Sequence, residues 1–126
     1  MISFSRTEYA SPSRDTVGED NDCAVRAIAV AKGTSYAAAR QLLTCYGRGR
    51  GKATPLPLLS AALADLCHAK HCYHRGGLTR SQFVAQYPEG HYVVASRSHA
   101  FAIRNGTVYD WKPNSTARIL WSWRVS

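Results

Sequence analysis

Apolar residues in this chain change their period partway along. Between residues 23 and 67 they recur at helical spacing, and from residue 91 onward they alternate. The run Cys23–Ala31 carries Val25, Ile28, Ala29 and Ala31, too many apolar positions for a one-sided surface helix, so it predicts a central one. Gly33 then stands where a helix-ending left-handed residue belongs. Thr34-Ser35 caps a second helix from Tyr36 to about Tyr46, with Leu42 and Leu43 facing inward. Pro55 or Pro57 opens a third through about Cys67, with Leu58, Leu59, Leu63 and Leu66 on its apolar face. A short helix over Leu78–Tyr87, capped by Thr79 or Ser81, is broken by Pro88-Glu89-Gly90.

The remainder reads as β. His91–Ala95 is one strand. His99–Arg104 and Thr107–Trp111 are two more, joined by Asn105-Gly106, the strongest two-residue hairpin signal. Ala117–Val125, with Ile119, Trp121, Trp123 and Val125 alternating, predicts a last strand. Helices first and strands afterwards imply an α+β domain, its central helix and further helices packed on a C-terminal antiparallel sheet. Residues 1–19 are polar, with Ser-Pro-Ser at 11–13, and read as an extended or loosely ordered arm before a single domain over 20–126. At 126 residues and 45% hydrophobic content the chain can bury a core without staples.

Composition changes this picture in three places. No apolar run approaches the roughly 20 residues of a membrane span, and the N-terminus lacks the apolar centre of a signal peptide. A cytoplasmic protein with no membrane partner is expected. The net charge is +8, from 16 Lys and Arg against 8 Asp and Glu. That balance suits nucleic acid or an acidic protein partner. Its one dense cluster, Arg48-Gly49-Arg50-Gly51-Lys52, is either a solvated loop or a phosphate or acidic-partner contact. A phosphate-binding Walker loop is excluded: Tyr46 stands where the first Gly belongs and Ala53 where Ser or Thr belongs. The four cysteines should be mostly free thiols, with Cys45 a small buried hydrophobe.

The density of ligand types in Cys67-His68-Ala69-Lys70-His71-Cys72-Tyr73-His74 raises zinc. Structural zinc uses two separated ligand pairs, whereas here everything lies within eight residues. A helix end followed by an edge strand is expected there, and no metal or cofactor. His91, at a strand start, reads as exposed or a core partner rather than catalytic. Trp111, Trp121 and Trp123 read as core or sheet packing, with a groove wall as the alternative.

The candidate chemistry begins at Cys23. Asn21 or Asp22 can cap the helix, which leaves Cys23 in the first turn, where the positive helix end favours thiolate. The hairpin register supplies partners. With Asn105-Gly106 as the turn, Arg104 pairs with Thr107, Ile103 with Val108 and Phe101 with Asp110. His99, Phe101, Ile103, Val108 and Asp110 then share one face, and His99 and Asp110 are diagonal neighbours. That otherwise apolar face is expected to cover the Cys23 helix. A carboxylate there can hold one imidazole nitrogen and leave the other for a thiol. The backbone N–H of Cys23 can donate to an oxyanion, and Asn21 is a candidate second donor.

Cysteine at the start of an N-terminal helix, then histidine on a strand, then aspartate on the next is the order of papain-like cysteine peptidases. The chain most resembles small single-domain phage and bacterial proteins of that fold. The matching segments are Asn21-Asp22-Cys23-Ala24-Val25-Arg26-Ala27, Gly90-His91-Tyr92-Val93-Val94, Ser98-His99-Ala100-Phe101-Ala102 and Tyr109-Asp110. The resemblance implies Cys23 as nucleophile, His99 as base, Asp110 as the orienting residue, and a peptide or protein substrate. It also implies a host or phage protein as partner, and host cytoplasm if the chain is phage-encoded. Such enzymes place an oxyanion Gln six residues before the cysteine, where this chain has Val17. Peptide or isopeptide cleavage is the expected reaction, with deamidation and acyl transfer using the same machinery. The alternative is a papain-like binding module without catalysis, which contacts nucleic acid or an acidic protein through Arg48, Arg50 and Lys52.

Overall fold

The helix that begins at Cys23 is apolar on nearly every side because it is enclosed on nearly every side. In the computed structural model α1 spans Cys23–Lys32, and its residues Ala24, Val25, Ala27, Ile28, Ala29, Val30 and Ala31 are all buried. It closes at Gly33, where Gly33 N–H donates to Val30 O and Thr34 N–H to Ala29 O, the paired bonds that satisfy a helix's last carbonyls. Ser35 then caps α2 (Tyr36–Cys45), its side chain accepting from Ala38 N–H at 3.1 Å. Leu43 is buried and Leu42 packs partly against the core. The structure describes residues 3–6, 23–47, 56–67, 70–97, 99–110 and 117–125. Asn21, Arg48, Arg50, Lys52, His68 and Trp111 lie outside them.

Two more helices and six strands complete the described chain: α3 (Leu56–Cys67) and α4 (Arg80–Gln86), with β1 (Ser3–Arg6), β2 (Lys70–Leu78), β3 (His91–Ala95), β4 (Ala100–Arg104), β5 (Thr107–Asp110) and β6 (Ile119–Arg124). The class is α+β. The strands form one sheet in the order β1-β5-β4-β3-β6-β2. Its pairs are antiparallel except at one edge, where β1 runs parallel to β5 and pairs Ser3 with Thr107 through Arg6 with Asp110. A purely antiparallel sheet was expected. The Ser3–Arg6 segment holds one apolar residue, Phe4, too short a stretch to stand out as a strand by itself, and it pairs along the open edge of β5. At the opposite edge β2 follows α3 directly, the expected helix end and edge strand.

The hairpin register agrees with the sequence reading: Arg104 pairs with Thr107, Ile103 with Val108 and Ala102 with Tyr109. Asn105 and Gly106 both have positive φ, 47° and 81°, as the favoured two-residue hairpin turn requires. The facing does not agree. Phe101, Ile103 and Val108 pack against Phe83 of α4, with Tyr92, Val94 and Ile119. α1 lies on the other face, against Val93, Ala95, Ala100, Ala102 and Trp123. Side-chain volume accounts for the reversal. Ala100 and Ala102 leave a shallow surface that an alanine-rich helix can approach closely, whereas Phe101 and Ile103 project and need the recess that Phe83 and Tyr92 provide, their rings edge to face at 5.2 Å.

Two smaller expectations also fail. Cys45 is exposed, because it lies two residues and about 200° around the helix from buried Leu43. Ile119 does not share a face with Trp121 and Trp123. It joins the α4 side, beyond an irregularity in the β2–β6 pairing.

Candidate active site

Cys23 and His99 meet at the end of the sheet rather than across its face. His99 lies one residue before β4, in the short link where Ser96 N–H donates to His99 O at 2.8 Å. From there its ring stacks on Phe101, with centroids 5.8 Å apart and planes 22° from parallel. Its Nε2 reaches Asp110 Oδ1 and Oδ2 at 2.9 and 3.0 Å. A carboxylate only accepts, so Nε2 carries a proton and Nδ1 is left for the thiol. Cys23, the first residue of α1, comes to the same strand end from the opposite face, where its side chain hydrogen-bonds His99 and accepts from Ala100 N–H. The predicted diagonal of His99 and Asp110 is present, although the predicted helix is not beneath it.

Burial pushes the Cys23 thiol up, but the hydrogen bond to His99, the Ala100 N–H and the charges of His99 and Arg26 together hold it below its ordinary value. Burial likewise opposes charge on His99. The hydrogen bonds to Asp110 and Cys23, with the charges of both, outweigh it and raise His99 to about 9. Both shifts favour a thiolate–imidazolium pair. The Cys23 N–H belongs to the first helical turn, whose amides have no acceptor within the helix, a position from which it can donate to an oxyanion.

Two arginines complete the site. Arg26 stands one turn after Cys23 and lines the same small cleft, with Ala27, His99, Ala100, Phe101, Tyr109 and Asp110. Its spacing from Cys23 was legible on a helix, but the sequence reading gave it no role. Arg80 was missed altogether. It is 5% exposed at the start of α4, its Nη2 donates to Asp110 Oδ2 at 2.6 Å, and its Cζ lies 4.5 Å from the centre of the Phe101 ring. Thr79, with a full capping box to Gln82, fixes the turn that presents it. Only packing α4 on the Phe101 face brings Arg80 to Asp110, and no local pattern encodes that.

Among the described residues no three His, Cys, Asp or Glu side chains gather as a metal site. His74, from the histidine- and cysteine-rich segment, bonds Ser122 Oγ through Nε2 at 2.9 Å and packs edge-on against Phe83. Cys72 is an exposed free thiol on β2. His91 is half-buried beside Asn105, 3.4 Å from its Nδ2. Trp123 is fully buried and Trp121 packs at the edge of the same core. No described helix is long and apolar enough to cross a membrane. In comparison with known proteins, no family model, no curated protein and no solved structure matches this chain.

Proposed function

We propose that the chain is a cysteine-dependent acyl hydrolase, a papain-like peptidase or isopeptidase in which Cys23, His99 and Asp110 act together. The observation that carries the reading is the continuous chain of contacts from the Cys23 thiol through His99 to Asp110, with the two pKa shifts in opposite directions. The Cys23 thiolate attacks the acyl carbon, and the carbonyl electron pair moves to oxygen beside the Cys23 N–H. The oxyanion collapses to a thioester as the leaving group departs with the proton from His99 Nδ1. Neutral His99 then takes a proton from water, whose oxygen attacks the thioester, releasing the acid and restoring the ion pair. Asp110 holds the ring in orientation throughout. Deamidation or acyl transfer differ only in the leaving group or in what replaces water.

A small activated ester, p-nitrophenyl acetate, tests this without knowledge of the natural substrate. The expected result is a thioester adduct that peptide mapping places on Cys23, with formation slowed at least about tenfold in His99→Ala. An adduct spread evenly over Cys23, Cys45 and Cys72, unchanged by His99→Ala, would leave the binding-module alternative in its place.

A further inference from the structure

Charge is unevenly spread along the chain. After position 65 the sequence holds eight Lys and Arg but only two acids, Glu89 and Asp110, and Asp110 is engaged by Arg80 and His99. Arg97 and Arg118 are both exposed, and neither has an ion-pair or hydrogen-bond partner among the described residues. With Tyr73, Gly76, Ser96 and Leu120 they line an open groove of about 400 Å³.

The groove is built by the backbone. β2 pairs with β6 at Tyr73–Trp121 and again at Leu78–Ile119, so four residues of β2 stand against one of β6. Gly76 and Gly77 within that bulge both have φ of +76°. A Cβ on Gly77 would stand 2.5 Å from Arg118 Cβ, so glycine there lets the Arg118 side chain lie against the bulge. Tyr73, 55% exposed, gives the groove an apolar wall and is backed by Trp121 at 5.9 Å between ring centres.

This groove adjoins the active site. Ser96 lines it, and both its N–H and its Oγ donate to the His99 carbonyl, at 2.8 and 3.3 Å. The strand after His99 and the strand holding Leu120 are separated only by β3. Two strand spacings are about 10 Å, which an extended peptide covers in about three residues. The leaving group takes its proton from His99 and so departs on that side of the cleft. We propose that the groove binds an acidic segment of the substrate's leaving-group half, with an Asp or Glu carboxylate on Arg97 and Arg118 about three residues beyond the scissile bond. This rests on the acyl-hydrolase reading and supplies its substrate class. Guanidinium forks match carboxylates bidentately, and Tyr73 offers the adjoining side chain an apolar contact. A nucleic-acid strand would instead require a longer basic track than two arginines provide.

The test is binding to the Cys23→Ala protein, where turnover cannot intervene. Fluorescein-labelled hexaglutamate and hexaglutamine peptides are titrated at low salt and followed by anisotropy. Hexaglutamate should bind about tenfold or more tightly than hexaglutamine. Arg97→Gln alone should weaken it, and Arg97→Gln with Arg118→Gln should abolish the preference. Lys32→Gln, which removes the same charge at the far end of α1, should leave it within about twofold. Circular dichroism checks that each variant is folded. Preference retained in the double variant, or lost equally in Lys32→Gln, overturns the assignment. So does tighter binding of an oligo(dT) strand that depends on the same two arginines. Since the nucleophile is absent here, failure would leave the ester test of Cys23 untouched, and failure of that test would leave this one standing.

Discussion

Asp110 is held by two cations at once, and this sets what each neighbouring residue can do. Arg80 and Asp110 are both nearly inaccessible, with side chains 4% and 2% exposed. Removing one partner of such a pair strands the other charge in the interior, at about 3–5 kcal/mol. Arg80→Met should therefore lower the melting temperature sharply, and Asp110→Asn in that background should recover part of the loss. The two changes should act oppositely on the chemistry. Without Arg80 the field of Asp110 falls wholly on His99, so the alkaline limb of ester turnover, expected near the His99 value of about 9, moves upward. Asp110→Asn moves it downward. Alkylation of Cys23 by iodoacetamide needs only the thiolate, so it should not decline at that limb. Limbs that move together in both variants would show Arg80 to be only structural. Cys23 itself is legible from its cap-and-helix context. Arg80 is not, because nothing within several residues of position 80 refers to Asp110.

At the scale of elements the site depends on how closely α1 approaches β4. Ala102 is fully buried between them, and the alanines of α1 face a strand whose side chains there are also small. Ala102→Leu overpacks this contact, at about 1–3 kcal/mol. It should also draw Cys23 away from His99, slowing ester acylation more than Ala100→Gly, which adds no volume. Equal effects from both would mean that helix position does not govern the pair. The helices, the hairpin and its register were readable because each rests on local rules: period, caps, and a turn that needs positive φ. The choice of face was not. Alternation along β4 shows that two faces exist, while the choice of which helix covers which depends on volumes contributed by α1, α4 and β3 together.

For the whole molecule, titration couples the site to stability. His99 is raised to about 9, so the folded chain keeps a proton that the unfolded chain releases near 6.5. Its contribution is complete below pH 6.5 and is lost as the pH rises through about 9. Cys23 is lowered, so its contribution is present above the ordinary thiol range and is lost as pH falls through the depressed folded value. His74, lowered by burial and by the charge of His71, costs stability as the pH drops below 6.5. The difference in melting temperature between the wild-type chain and His99→Gln should accordingly be largest below pH 6.5 and fade toward pH 9. A difference constant across that range would contradict the raised value.

The sequence by itself determined the α+β class, the central helix headed by Cys23, the Asn105-Gly106 hairpin and the spacing that sets His99 beside Asp110. These follow from interactions among residues close along the chain or across one turn. Tertiary structure decided which sheet face α1 occupies, the parallel edge contributed by Ser3–Arg6, the exposure of Cys45, the approach of Arg80 to Asp110 and the arginine-lined groove beside His99. Each of these depends on side-chain volume or charge brought together from segments far apart in the chain, which no local period or cap records.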